Sequence, residues 1–96
     1  MLNTRDALEL YTLLAPHIPD DKDGDVLTFA QKIIDSTIEK ESGDYAKAIM
    51  LFSGKGVEEV LQLEPLDAVT IFMDGIIDNN LLSLITFWEQ LNYGVL

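Results

Sequence analysis

Residues 65–78 read PLDAVTIFMDGIID and have the composition of a helix that is buried on nearly all sides. Four polar side chains follow the proline: Asp67, Thr70, Asp74 and Asp78. They fall at i, i+3, i+7 and i+11, which places them on one line along a helix and leaves the rest of its surface apolar. Proline is favourable at the first helical position because its missing N–H has no partner there. This segment is therefore predicted to be the central helix of the domain.

Helical periodicity and turn signals predict five more helices around it. They lie near residues 4–15, 26–41, 44–53, 57–61 and 81–91. Thr4, Asp25 and Asp44 are the predicted caps of the first three helices, because a side-chain oxygen at that position accepts from a free backbone N–H. The chain has no strand-like alternation and no internal repeat. The predicted fold is all-α, a compact bundle of about six short helices in a single domain over residues 1–96.

The charge of the chain is strongly acidic and unevenly distributed. The 96 residues include 17 Asp and Glu against 6 Lys and Arg, for a net charge of −11. The first 55 residues carry a net −4, and the residues after Lys55 carry −7 with no basic side chain. Such a surface repels phosphate backbones, which argues against nucleic acid as a partner.

Compartment and membrane association are predicted from absent features. The chain has no cysteine, which fits a reducing compartment. Its N-terminus has neither the basic region nor the apolar run of a signal peptide, and no apolar run approaches the roughly 20 residues that span a bilayer. We expect a soluble cytoplasmic protein without a membrane partner.

One loop has the residue types of a calcium site but not their spacing. Three aspartates alternate there: Asp21, Asp23 and Asp25. An EF-hand loop has its glycine at position six and a glutamate at position twelve. With Gly24 as that glycine, Pro19 and Ala30 would be the first and last ligands, and neither can coordinate through a side chain. We therefore expect a solvated loop and no metal.

Other candidates for chemistry are equally incomplete. His17 is the only histidine and has no second ligand or base at a recognised spacing, so it is interpreted as a loop residue. Ser36 follows Asp35 as the phosphopantetheine serine does in acyl carrier proteins, but it lies inside a predicted helix and is followed by Thr37. It is interpreted as an exposed helix serine. Residues 54–56 (GKG) lack the spacing of a phosphate-binding loop. We predict a non-enzyme with no cofactor, no metal and no catalytic residue.

The last helix is the predicted partner-binding element. Leu84, Trp88 and Leu91 fall at i, i+4 and i+7, the spacing of anchors that dock into a helical partner, and Phe87 lies alongside them. Tryptophan is also enriched among residues that dominate interface energies. The competing interpretation is that Trp88 fills the core of the domain. Both interpretations stay open at the level of sequence.

From Gly56 onward the order of features is distinctive. The relevant segments are residues 57–61 (VEEVL), 64–68 (EPLDA), 75–80 (GIIDNN), 84–87 (LITF) and 91–94 (LNYG). In this order they resemble the small tail assembly chaperones of long-tailed bacteriophages, especially those that infect Gram-positive hosts. The resemblance covers the C-terminal part of the chain and contains no catalytic motif.

The resemblance implies a small, acidic, mostly helical protein that binds the tape-measure protein during tail assembly and is absent from the finished virion. Such proteins are often made in two lengths by a programmed translational frameshift. Long helical chains with exposed apolar faces aggregate unless they are covered, and an apolar helix surrounded by acids suits that task. The sequence also leaves open a homo-oligomer. Two other classes remain open: an acidic inhibitor that imitates DNA, and a regulatory or toxin-neutralising helical module.

Overall fold

A computed structural model describes residues 2–20, 25–40 and 42–95, without the side chains of residues 42 and 92–95. Its described part is all-α, as the sequence predicts, and contains no strand. A short 3₁₀ turn, Ala15–His17, follows the first helix. The helices are α1 (Thr4–Leu14), α2 (Val26–Lys40), α3 (Ser42–Ser53), α4 (Val57–Leu61), α5 (Pro65–Asp78) and α6 (Leu81–Val95).

Helix α5 packs against α2, α3 and α6, whereas α3 packs against α1, α2, α4 and α5, so the predicted central position of α5 is shared with α3. Phe72 and Ile76 have no exposed surface. Fully burying an apolar side chain of this size stabilises a fold by about 1.5–3 kcal/mol. The Phe72 ring stacks on Tyr45 and also contacts Phe52, both from α3. Burial raises the pKa of the Tyr45 hydroxyl. The core thus includes one face of α5.

The prediction that α5 is buried on nearly all sides is wrong. Leu66 and Ile77 are exposed over 74% and 39% of their surface, and the buried residues of the helix lie on one face. The opposite face of α5 is therefore open to solvent in spite of its apolar composition.

Gly75 allows α3 to approach α5 closely. A Cβ atom at this position would overlap the Phe52 ring. The missing side chain therefore creates the space in which that ring lies, and the ring in turn contacts Phe72. A single glycine on α5 sets the separation of the two helices here.

Two predicted helix starts are corrected by the structure. Asn3, rather than Thr4, caps α1, since its side-chain oxygen accepts from the Asp6 N–H at 2.8 Å. Asp44 lies in the first turn of α3, which begins at Ser42. Helix α3 therefore begins two residues before the predicted cap, with Ser42 and Gly43 in its first turn.

The predicted cap at Asp25 is confirmed. Its carboxylate accepts from the Thr28 backbone N–H at 2.7 Å. That bond, together with one from the Thr28 hydroxyl, holds the pKa of Asp25 below its usual range.

The buried face of α2 differs in part from the apolar pattern of its sequence. Leu27 and Ile38 are exposed, whereas Thr37 is fully buried. The Thr37 hydroxyl donates to the Ile34 carbonyl at 2.7 Å, so its burial leaves no unpaired donor. The face of a helix that turns inward is set by its neighbours, here α3 and α5, as well as by its own apolar residues.

Asn79 and Asn80 form the turn between α5 and α6. Asn80 has a φ of 51°, a left-handed conformation that asparagine tolerates better than most residues. The Asn79 amide N–H donates to the Gly75 carbonyl at 2.8 Å, and its oxygen accepts from the Leu2 backbone N–H at 3.0 Å. This turn therefore also holds the start of the described chain.

None of the described helices is by itself long and apolar enough to cross a bilayer. Taken together, Pro65–Asp78 and Leu81–Leu91 reach the required length and composition, but they are bent by 56° at the turn between them.

Replacing Gly75 by alanine is expected to destabilise the protein by about 1–3 kcal/mol, because the Phe52 ring must move out of a packed core. Urea unfolding followed by circular dichroism measures this change.

The control is Gly43→Ala, which places its Cβ in open space in the first turn of α3. This variant is expected to be neutral or to gain up to about 1 kcal/mol from helix propensity. Equal stability of the two variants would contradict the assigned role of Gly75.

Candidate partner-binding site

The inner face of α6 is fixed by core packing. Leu81 and Ile85, one turn apart, are completely buried. Trp88 continues this line and packs edgewise against Tyr11 of α1, with ring centroids 4.7 Å apart and planes at 62°. The helix is therefore anchored on one side to α5 and, through Trp88, to α1.

The structure divides the four residues predicted to bind a partner. Trp88 and Leu84 are partly buried and pack against the core cluster. Phe87 and Leu91 are exposed over 55% and 47% of their surface. The predicted i, i+4, i+7 face is therefore not presented to solvent as one unit, and Trp88 contributes at least part of its surface to the fold.

A modified exposed face remains. Leu84, Phe87 and Leu91 lie at i, i+3 and i+7 and follow Asn80 along the same line of α6. Asn79, Asn80, Ser83, Leu84 and Phe87 line a groove of about 360 Å³ beside the α5–α6 turn. We call Leu84, Phe87 and Leu91 the outer face of α6. Apolar side chains beside a shallow groove suit contact with another apolar surface.

The charges that the end of α5 and α6 itself contribute near this face are negative. Glu89 is the only charged residue of α6, and Asp78 ends the preceding helix. The chain has no Lys or Arg after residue 55. A partner that carries basic residues beside its apolar contacts would be attracted, and an acidic partner would be repelled.

A second cluster was not predicted from the sequence. His17 was interpreted as a loop residue and Ser36 as an exposed serine. His17 does lie in the turn that follows α1, but it is buried, and Ser36 is only partly exposed. The His17 side chain is only 2% exposed. Its Nδ1 lies 2.9 Å from the Ser36 hydroxyl and its Nε2 lies 2.9 Å from an Asp44 carboxylate oxygen. We call these three residues the histidine clamp, because they join the 3₁₀ turn to α2 and α3.

The hydrogen-bond chemistry of the clamp is self-consistent. A carboxylate can only accept, so Nε2 donates to Asp44. The Ser36 hydroxyl can then donate to Nδ1 of a neutral ring or accept from it when the ring is charged. Neither ring nitrogen is left without a partner, which is what burial of a polar side chain requires.

A serine, a histidine and an aspartate in hydrogen-bond contact also resemble a nucleophilic triad. Acyl transfer additionally needs N–H donors directed at the developing oxyanion. Ser36 lies in the interior of α2, where backbone N–H groups donate to carbonyls of the preceding turn. The geometry therefore favours a structural role for the clamp.

The described residues contain no group of three or more His, Asp or Glu side chains that could hold a metal ion. Asp21 and Asp23, from the loop that was compared with a calcium site, lie outside the described residues.

Comparisons with known proteins identify no relative: no family model, curated protein or solved structure matches this chain.

Replacing His17 by leucine should lower the free energy of unfolding by about 1–3 kcal/mol, because two hydrogen bonds are lost and Asp44 and Ser36 are left without their partner. Ser36→Ala removes one of the two bonds and should cost about 1 kcal/mol. Equilibrium unfolding in urea measures both.

The double variant is the internal control. Since Ser36 acts through His17, the combined loss should be smaller than the sum of the two single losses. Strict additivity, or a neutral His17→Leu variant, would contradict the clamp.

Proposed function

We propose that this protein is a tail assembly chaperone of a long-tailed bacteriophage. It binds the tape-measure protein in the host cytoplasm and keeps it soluble until the tail assembles, and it catalyses no reaction. The support comes from the resemblance of the chain after Gly56 to such chaperones, from its charge, and from the outer face of α6.

The observation that carries this proposal is the exposure of Phe87 and Leu91 on a helix whose opposite face is locked into the core. Both are large apolar side chains on a regular helix, one turn apart. A long helical partner can pair an apolar stripe of its own with them in the manner of helix-in-groove recognition. Because Leu81 and Ile85 hold the helix in place, the outer face is pre-organised and little ordering entropy is lost on binding.

The acidity of the chain suits a chaperone as well as the apolar face does. A net charge of −11 on 96 residues gives each bound copy a repulsive surface. A partner covered by several copies would then resist aggregation through the repulsion between complexes. The apolar contact supplies affinity, and the surrounding carboxylates supply solubility.

The double variant Phe87→Ser/Leu91→Ser tests the proposal. Co-expressed with the tape-measure protein encoded in the same gene cluster, it should leave that partner largely insoluble, since loss of interface anchors typically costs at least about 2 kcal/mol of binding. The soluble fraction of the partner after centrifugation is the measurement. The melting temperature of the free variant should stay within a few degrees of wild type, because both side chains are largely exposed.

The matched control is Leu8→Ser/Ile38→Ser. These side chains are exposed to a similar extent, 50% and 52%, but lie on α1 and α2. This variant should still solubilise the partner. If both double variants fail equally, the effect reflects general surface hydrophobicity and the outer face of α6 is not the binding site.

The coding DNA gives an independent test. The proposal expects a slippery run near the end of the gene and, downstream, a gene for a very long helical protein. A neighbourhood without such a gene would contradict the proposal, whatever the behaviour of the α6 variants.

A further inference from the structure

A second groove lies between α3 and α5, and among the described lining residues it shares only Asn79 with the groove beside α6. It has a volume of about 380 Å³. Its lining residues are Phe52, Ser53, Ile71, Asp74, Gly75, Asp78 and Asn79. Phe52 and Ile71 are partly buried and form an apolar floor, whereas Asp74 and Asp78 are exposed. We call this the α3–α5 groove.

The other polar groups of the groove are already engaged within the chain. The Ser53 hydroxyl donates to the Ile49 carbonyl at 2.7 Å and accepts from the Lys55 N–H. The Asn79 side chain donates to Gly75 and accepts from Leu2. Within the described part of the chain, no ion pair or hydrogen bond involves the side-chain carboxylate of Asp74 or Asp78. The two carboxylates are therefore the acceptors that the groove offers to a ligand.

In the free protein, the two carboxylates lie at positions where their negative charges are unfavourable. Asp74 and Asp78 are one turn apart on α5, and like charges at that spacing repel. Asp78 is also the last residue of the helix, where the macrodipole favours a positive charge. The last turn of α5 contains no basic residue. Unfavourable charges beside an apolar groove are typical of a surface that gains its compensation from a partner.

We infer that the α3–α5 groove binds a basic amphipathic helix of another protein. Its apolar side chains contact Phe52 and Ile71, and its Lys or Arg residues pair with Asp74 and Asp78. The charge complementarity determines this choice, because the groove offers carboxylates and apolar contacts and none of its described lining residues is a cation. This inference concerns a different surface from the outer face of α6 and does not rest on the proposed function.

The spacing of the acids specifies the partner further. Asp74 and Asp78 are separated by a rise of about 6 Å along α5, and Asp67 lies on the same line about 10.5 Å before Asp74. A helix that runs antiparallel to α5 matches this line with basic residues at i, i+4 and i+11. A basic segment with that pattern beside a leucine stripe is the expected ligand type.

Two synthetic 18-residue helical peptides of identical composition test the inference against the full chain. One has lysines at i, i+4 and i+11 beside a leucine stripe, and the other has the same lysines distributed around the helix. Fluorescence anisotropy should show tighter binding of the first. Asp74→Asn/Asp78→Asn should weaken that binding by about tenfold, the effect expected from losing two partly desolvated charge pairs.

The matched control is Asp35→Asn/Glu39→Gln. It removes two exposed carboxylates with the same i, i+4 spacing from α2, so it changes the net charge equally without touching the groove. It should leave the affinity for the first peptide nearly unchanged. Equal weakening by both double variants, equal binding of both peptides, or no binding to the wild-type chain would overturn the inference.

The melting temperature of the free protein is a second measurement, and it should rise in the same variant that loses affinity for the peptide. Asp74→Asn/Asp78→Asn should raise the melting temperature of the free protein by about 2–6 °C. The variant removes the repulsion between the two carboxylates and the unfavourable interaction of the Asp78 charge with the helix macrodipole. A gain in stability combined with a loss of binding is the expected result. A lower melting temperature would show that the carboxylates support the fold and would overturn their assignment to a partner.

Discussion

The contact between the Phe52 ring and the bare backbone of Gly75 is the constraint on which the other helix positions depend. It brings α3 close to α5, so that Tyr45 and Phe52 both reach Phe72. Once α5 is held in this way, α2 can pack against both helices. Protein interiors are close-packed, so a change in this separation cannot be absorbed locally and is passed to every helix that contacts α5.

The N-terminal and C-terminal parts of the bundle are held by different kinds of interaction. The 3₁₀ turn, α2 and α3 are joined by the buried histidine clamp, whose bonds are directional and fix the helices in one register. Helix α6 is held by apolar contacts of Leu81 and Ile85 and by the Tyr11–Trp88 ring pair. Apolar contacts are non-directional, and α6 keeps two large apolar side chains, Phe87 and Leu91, that its own fold leaves about half exposed. The proposed chaperone function depends on this exposed apolar surface of α6.

Local signals in the sequence predict the helices well, because the residues that end them act through their own backbone. Pro65 starts α5, Gly54 adopts a φ of 73° after α3, and Asn80 takes a left-handed conformation before α6. Each of these preferences belongs to the residue itself. Helix type and approximate boundaries therefore follow from the sequence without knowledge of the packing.

The sequence does not show in the same way which side of a helix faces the core, or which distant residues form hydrogen bonds with each other. A helix that is apolar on most sides, such as α6, has no single preferred inner face. In the structure Trp88 faces inward because it packs against Tyr11 of α1, and Phe87 is exposed. Similarly, His17 meets residues 19 and 27 positions later in the chain. No spacing rule relates such positions, because the three segments meet only after the bundle has formed.

The bond from the Leu2 N–H to Asn79 has a consequence for any fusion protein. Asn79 lines both the groove beside α6 and the α3–α5 groove, so a peptide joined ahead of residue 2 would start next to both surfaces. A short flexible tether keeps its cargo at an effective concentration on the order of millimolar. A purification tag with basic or apolar residues would therefore compete with a partner as an intramolecular ligand. At this end of the chain, a tag takes part in the binding equilibrium.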